Sequence, residues 1–434
     1  MAHSKKTAPP RAVALDLLEA VLVNKRLLDE VLDSDPRLPR MEERDRAFVR
    51  LLVATTLRRL GQLDDLIRRC LDKKLPAKAR RAQDVLRLGA CQLVFLGTPP
   101  HAAIATAVDL VKGTPLAGFA KLINAVLRRI DREGREWVAG QDPGRLNTPG
   151  WLWESWVATY GTETASAIAA AHLTEAPVDI TVAADPAGWA EKLEAELLPT
   201  GSLRRKAGGD ITRLPGFADG AWWVQDMAAA LPARLLGEVQ GKRVADLCAA
   251  PGGKALQLAV AGAEVVAVDR SAKRLVRFQQ NLKRLRLSAQ VVEADVAGWQ
   301  PSVPFDAVLL DAPCTATGTM RRHPDGLRLK GPGDVAALAD QQAALLRAAL
   351  AMLKPGGTLV YCVCSLEPEE GVRQIERLLA DHPGVARQPI DASEVGGLSA
   401  LITPAGDLRT LPCHLADLGG MDAFFAARLF KKLD

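Results

Sequence analysis

The 434-residue chain contains no run of eighteen apolar residues, which excludes a membrane-spanning helix. Its seven cysteines are odd in number and spread from Cys70 to Cys413, so no disulfide framework is expected in a protein of this size. Free thiols in a reducing compartment follow from that. The six histidines are scattered, and the Cys-x-Cys at 362 and 364 has no partner pair at ligand spacing, so no metal site is expected. The opening MAHSKKTAPPR is basic but has no apolar run behind it. No secretory leader is expected from that, and a cytoplasmic location is.

What is present is ordinary for a soluble globular protein: 48% hydrophobic and 25% charged residues. At about 150 residues per domain the length allows three domains. Net charge is +5, unevenly placed. Residues 1–140 hold 26 Lys and Arg against 17 Asp and Glu, a balance of +9, and the remaining 30 against 34 leave −4. A basic first third on a mildly acidic remainder fits contact with a polyanion, although a solvated surface has the same composition.

From Arg11 to Ile130 the apolar residues recur at helical spacing. In RDRAFVRLLVATTLRRLGQLDDLIRRCLD the residues Phe48, Leu51, Leu52, Thr55, Leu60, Leu63 and Ile67 are expected to share one buried face. Residues 1–140 thus read as an all-α domain. The stretch REGREWVAGQDPGRLNTPG reads as a linker by composition, and residues 141–235 as linker plus a small connecting subdomain. Trp151, Trp153, Trp156, Trp222 and Trp223 fall there and are expected to serve packing. Residues 236–434 alternate strand and helix: KRVADLC, AEVVAVD, AQVVEAD, FDAVLLD, a long helix ending at LKPGG, and TLVYCVCS. That texture predicts an α/β, Rossmann-like, mostly parallel doubly wound sheet, with an antiparallel edge from DLRTLPC and AFFAARLFKKL.

In such a sheet the ligand lies beyond the carboxyl ends of the strands. Cys248-Ala249-Ala250-Pro251-Gly252-Gly253-Lys254 follows the first strand; its small residues let backbone approach a ligand, but it is not G-x-G-x-x-G. The next two strands end on Asp269, suited to ribose hydroxyls, and Asp295, suited to an adenine amino group. Three features in this order without a phosphate cradle point to S-adenosylmethionine. The competing reading is that both acids only cap the helices that follow.

The fourth strand ends at Asp311-Ala312-Pro313-Cys314 and the fifth at Cys362-Val363-Cys364. A cytosine ring yields carbon 5 to an electrophile only after something adds to carbon 6, and a thiolate is suited to reversible addition. Asp311, Cys314 and Cys364 supply the acid and thiols this requires. Cys362 shares a strand face with Cys364, which lies nearer the open end. The loop Arg321-Arg322-His323-Pro324-Asp325 is expected to hold phosphates, and the helix bearing Lys273, Arg274, Arg277, Lys283, Arg284 and Arg286 is either an RNA path or a solvated face.

At CAAPGGK (248–254), LLDAPCTATGTMRRHPD (309–325), YCVCSLEPEEG (361–371) and GGMDAFFAARL (419–429), the chain resembles the RNA cytosine-5 methyltransferases that include the Sun/Fmu (RsmB-type) enzymes of 16S ribosomal RNA. WWVQDMAA also fits, and RLGACQLVFLG and INAVLRRI are similar to a NusB-type helical RNA-binding domain. The resemblance implies that residues 248–254, Asp269, Asp295 and Asp311 contact S-adenosylmethionine, that Cys364 is the nucleophile, and that Cys314 assists release. Val363 stands where the family has Thr, Cys362 where it has Ser or Ala, and Val182-Ala183-Ala184 where its connecting region carries Arg-x-Asn. The implied substrate is small-subunit ribosomal RNA, with no membrane and no obligate protein partner, and a monomer is expected. The same chemistry on transfer RNA and a non-catalytic RNA-binding assembly factor are the alternatives.

Overall fold

The structure, a computed structural model, describes residues 8–205 and 209–433; the opening MAHSKKT of the leader argument lies outside them. These residues divide into two compact units: one runs to Thr174 and includes Arg322–Lys330, and the other takes Glu175–Arg321 and Gly331 onward.

The first unit is all helical: α1 (Pro10–Leu22), α2 (Leu28–Ser34), α3 (Glu43–Arg58), α4 (Leu60–Cys70), α5 (Arg80–Val94), α6 (Pro100–Asp109), α7 (Ala120–Ala139), α8 (Pro143–Asn147) and α9 (Gly150–Ala171). The single helix expected across Arg44–Asp72 is two, because the backbone leaves helical geometry at Arg59. Val49, Leu52, Val53, Thr56 and Leu57 turn inward in α3, while Leu51, expected inside, is 46% exposed. Beyond the break Leu60, Leu63 and Ile67 are buried as expected. The helix start at the break is closed by the side chain of buried Asn147, whose Oδ1 accepts from the amides of Gly61 (2.9 Å) and Gln62 (3.2 Å). A Cβ on Gly61 would stand 1.8 Å from the Leu146 carbonyl oxygen, so this approach needs glycine.

The stretch read as a linker is also largely helical. REGREWVA completes α7, where Gly134 packs against Ile130 and Val94, and PGRLN forms α8. Composition misled here because the glycine makes room for a neighbouring helix and does not break its own. Arg322–Lys330 carries α14 (Gly326–Leu329) and packs with these helices: Asp325 accepts from the Leu28 amide (3.0 Å) at the start of α2, and Arg328 donates to the Asn147 carbonyl (3.0 Å).

The second unit opens with a four-stranded antiparallel sheet, order β2-β3-β1-β4, from β1 (Val178–Val182), β2 (Glu196–Leu197), β3 (Leu203–Arg205) and β4 (Trp222–Val224), with α10 (Pro186–Lys192) between β1 and β2. Trp222 and Trp223 are buried in it, as is Trp156 in the helical unit, which agrees with a packing role. Asp179 of β1 pairs with Arg204 of β3 through two 2.7 Å bonds and accepts from the Met227 amide, all buried.

The large sheet has order β10-β12-β9-β8-β5-β6-β7 and is built from β5 (Arg243–Leu247), β6 (Glu264–Asp269), β7 (Gln290–Glu293), β8 (Phe305–Asp311), β9 (Leu353–Val363), β10 (Val385–Arg387) and β12 (Phe424–Lys431), with β11 (Leu408–Thr410) on β12. β5 to β9 are parallel, and β12 runs antiparallel against β9, β10 and β11. Helices α11 (Leu231–Arg234), α12 (Gly253–Val260), α13 (Ala272–Leu285), α15 (Pro332–Ala351) and α16 (Val372–Asp381) accompany it. β9 begins at Leu353 and takes in the LKPGG expected to end the helix. Near-continuous apolar strands such as Val265–Val268 and Val308–Leu310 are buried on both faces, as parallel pairing requires. The chain goes outward from β5 to β7 and then returns to β8 on the other side of β5. The crevice where strand order reverses therefore lies over the carboxyl ends of β5 and β8.

Candidate active site

That crevice is an open cleft of about 780 Å³ lined by, among others, Cys248, Asp269, Asp295, Asp311, Cys314 and Cys364. Each arrives from the carboxyl end of a strand, β5, β6, β7, β8, β8 and β9 in turn.

The loop after β5 is held by its neighbour. Asp269 accepts from the Ala250 amide (3.1 Å) with one oxygen and from Ser271 (2.9 Å) with the other. It thus caps the following segment and fixes the loop, and each carboxylate oxygen keeps a second lone pair. Gly252 has φ +106° and its missing Cβ would lie 2.0 Å from Phe278 of α13, so the loop closes on the helix only with glycine there. Ala249 and Ala250 are packed inside, Pro251 is exposed, and Gly253 starts α12. Asp295 accepts from the Ala297 amide (3.0 Å) and lines the cleft.

Lys254 turns beneath the cleft. Its Nζ lies 2.7 Å from Asp311 Oδ2 and over the Phe424 ring. Burial is the largest single influence and pulls this ammonium down, but Asp311, Cys362 and Asp246 together outweigh it and hold the pKa above its usual value. Asp246 of β5 lies in the same buried group; burial and then Asp311 push its carboxyl up to about 8. Asp246 thus keeps its proton near neutral pH beside Lys254.

The cysteines separate clearly. Cys314 Sγ and Cys364 Sγ are 3.4 Å apart, and both line the cleft. Cys362 is fully buried, donates to Asp311 Oδ1 (3.4 Å), and does not line it. Burial first, then Asp311, drives the Cys362 thiol well above its ordinary pKa. Cys248 is pushed up to about 12, mainly by burial. Cys314 is raised first by its hydrogen bond with Cys364 and then by burial, so it keeps its proton beside that partner.

The loop expected to hold phosphates does not offer its first arginine. Arg321 is 1% exposed, donates to the Gly419 carbonyl (2.6 Å), and lies within 4 Å of Asp226 and Asp422. It is enclosed by protein oxygens and does not present itself to phosphate, and Asp325 is buried at α2. On the basic helix α13, Arg274 donates to the Ala250 carbonyl and Arg284 to Phe217 and Trp222 carbonyls (2.8 and 3.0 Å), while Lys273, Arg277, Lys283 and Arg286 are exposed. Sequence reasoning also passed over Asp246, Gln342 and Glu370. The acid pair of Pro368-Glu369-Glu370, six residues beyond Cys364, was the available signal for the last.

Comparison with known proteins agrees with this arrangement. The model of the 16S rRNA methyltransferase RsmB/F family matches residues 233–430, and that of the NusB family matches residues 8–132. A Pseudomonas putida protein named ribosomal RNA small subunit methyltransferase B is 39% identical, over 97% of this chain and 98% of its own. The chain belongs to the RsmB/F methyltransferase family. A methyltransferase homologue from Pyrococcus horikoshii is 26% identical with a TM-score of 0.54, covering 64% of this chain and 93% of that one. The crystal structure of PH0851 shares the fold at a TM-score of 0.74 and 22% identity, covering 99% of this chain and 100% of that one. This RsmB/F-family enzyme thus joins a helical NusB-family region to a methyltransferase fold, as its sequence leads one to expect.

Proposed function

We propose that the protein methylates carbon 5 of a cytosine in small-subunit ribosomal RNA, using S-adenosylmethionine and a cysteine adduct at carbon 6. The observation that carries the reading is the thiol pair: two cysteines 3.4 Å apart at the ends of adjacent parallel strands, beside an acid, on one cleft. The ribosomal substrate rests on the names of the curated relatives, and the surplus basic charge of residues 1–140 supports an RNA-holding role for that domain.

The cleft suits the cofactor. Carboxylates stand at three strand ends with no phosphate cradle, which fits a nucleoside bearing a positive sulfonium. Asp269 would hold the ribose hydroxyls, Asp295 the adenine amino group, and the 248–254 loop and Asp311 the remainder. When bound, S-adenosylmethionine supplies an electrophilic methyl group.

The residues then act in order. Cys364 adds to carbon 6 as the thiolate: the C–S bond forms as the C5–C6 π pair shifts onto carbon 5 and nitrogen 3, Asp311 in its acid form would steady nitrogen 3, and carbon 5 takes the methyl group with that pair. Cys314, raised by its hydrogen bond with Cys364 and by burial, keeps its proton until Cys364 is a thioether; with that hydrogen bond gone it would release the proton to water in the open cleft. Cys314 then takes the carbon 5 proton, the freed pair restores the C5–C6 double bond, and the C–S pair leaves with Cys364 as thiolate.

The test is incubation of the full chain with radiolabelled S-adenosylmethionine and either small-subunit ribosomal RNA or transfer RNA from cells lacking the enzyme. Label at carbon 5 of a ribosomal cytosine is expected. Label only on transfer RNA overturns the substrate, and none on either favours a binding factor. Cys364→Ala should abolish transfer while retaining cofactor affinity, and Cys314→Ala should leave a protein–RNA adduct on a denaturing gel. Normal turnover without adduct in Cys314→Ala would sink the two-thiol scheme.

A further inference from the structure

The two cleft thiols are held in different ways. Cys364 follows directly on β9, whose register against β8 is set by Asp311 opposite Cys362, and its carbonyl accepts from the Gly318 amide (3.0 Å). Cys314 stands three residues past the end of β8 with no strand to fix it. Its neighbours are fixed by one side chain. Glu370 is fully buried, and its Oε1 accepts from the Thr315 amide (2.9 Å) and from Gln342 Nε2 (3.1 Å). Its Oε2 accepts from the Thr315 hydroxyl and from Ser365 Oγ (2.5 Å). Gln342, also fully buried, donates as well to the Pro313 carbonyl (2.8 Å). Both residues flanking Cys314 are thereby tied to Glu370, directly or through Gln342. Tyr361 Oη in turn donates to the Glu370 carbonyl (2.6 Å), anchoring the clamp to β9.

We infer that Glu370 is a positioning residue for Cys314, holding that thiol in register with Cys364 for the step that releases the product. Four donors converge on a group that only accepts; an amide in its place would set an NH2 against the Thr315 and Ser365 hydroxyls, and Ser365 Oγ already accepts from the Glu367 amide (3.0 Å) and lies 3.3 Å from Thr317 Oγ1. A carboxylate is therefore the group this pocket fits. Cys364 retains its strand and its Gly318 bond without the clamp, so attack on carbon 6 survives and release does not. The inference rests on the adduct chemistry proposed above. In that chemistry, release breaks the C–S bond as Cys314 takes the carbon 5 proton and Cys364 recovers the bonding pair.

Glu370→Gln in the full-length protein should lower kcat about 100-fold, the cost of roughly 1 Å of misplacement, with KM for RNA and cofactor affinity within about threefold of wild type. A denaturing gel should show a protein–RNA adduct accumulating although Cys314 is intact. A merely structural defect lowers the amount of active protein and produces no adduct. Gln342→Met, which removes the donor shared by Pro313 and Glu370, should give the same adduct more weakly, and it decides the matter if Glu370→Gln does not fold. Wild-type turnover without adduct in either folded variant overturns the inference. Cys314→Ala is run in parallel: adduct there but not in the Glu370 and Gln342 variants refutes the clamp alone, whereas none in Cys314→Ala refutes the underlying chemistry and the clamp with it.

Discussion

Asp246→Asn tests the charge pattern beneath the cleft. Asp246 is fully buried, and its carboxyl is raised to about 8 by burial and by Asp311. In the unfolded chain a carboxyl of this type ionises near pH 4. A raised acid leaves its stabilising contribution intact below the unfolded value and loses it as pH rises to the folded one. Between pH 5 and pH 8 the unfolded chain has released this proton and the folded chain retains it. Each pH unit then costs about 1.4 kcal/mol, or about 4 kcal/mol across the interval. Asn cannot ionise and escapes that cost. Hydrogen exchange of the Arg243–Leu247 strand in urea, corrected for intrinsic rates, reports the stability of the sheet unit. The difference between Asp246→Asn and wild type should shift in favour of the variant by about 4 kcal/mol from pH 5 to pH 8. Taking the difference cancels the titrating groups that do not interact with Asp246. A constant difference would mean that Asp246 is already ionised in the folded protein at pH 5, and the raised carboxyl would be refuted.

Gly252→Ala forces a side chain into positive φ and within 2.0 Å of buried Phe278, which should cost about 2–5 kcal/mol and weaken S-adenosylmethionine binding by calorimetry; an unchanged melting temperature and affinity would show that the loop does not need this approach. Asp179→Ala strands the guanidinium of Arg204 in a buried site and should destabilise the second unit by about 3–5 kcal/mol in urea, whereas a loss below about 1 kcal/mol, the range of an exposed pair, would show that water reaches Arg204.

The parallel strands were legible because their apolar runs need no partner to be identified. Val265–Val268 and Val308–Leu310 announce burial on both faces from composition alone, and Asp269, Asp311 and Cys364 follow because the carboxyl ends of such strands are where side chains meet. What was missed depends on residues distant in sequence. Arg321 is read as a surface charge until Asp226, Asp422 and the Gly419 carbonyl are seen around it. The break at Arg59 is invisible because buried apolar residues continue across it at helical spacing, from Val53 and Leu57 to Leu60, Leu63 and Ile67. Gly134 counts as a breaker in a composition window, yet it is what lets α7 lie against Val94. Glu370 escaped for the same reason as Arg321: a buried charge has meaning only through its donors, and Thr315 and Gln342 lie 55 and 28 residues away.

The placement of the thiols on adjacent parallel strands also bears on the order of events. Parallel neighbours deliver their carboxyl ends to one edge at about 4.8 Å separation, so side chains from both reach one substrate atom without either strand bending. At 3.4 Å the two sulfurs interact strongly enough that ionising one disfavours ionising the other. Cys362 is kept out of this exchange by its burial and by Asp311. In the chemistry proposed above, Cys364 attacks first and Cys314 acts only after Cys364 has been consumed. An enzyme with its two thiols held apart would need a separate device to stop Cys314 from reacting early; here the distance between the sulfurs serves, and Glu370 helps to set it through Thr315 and Gln342.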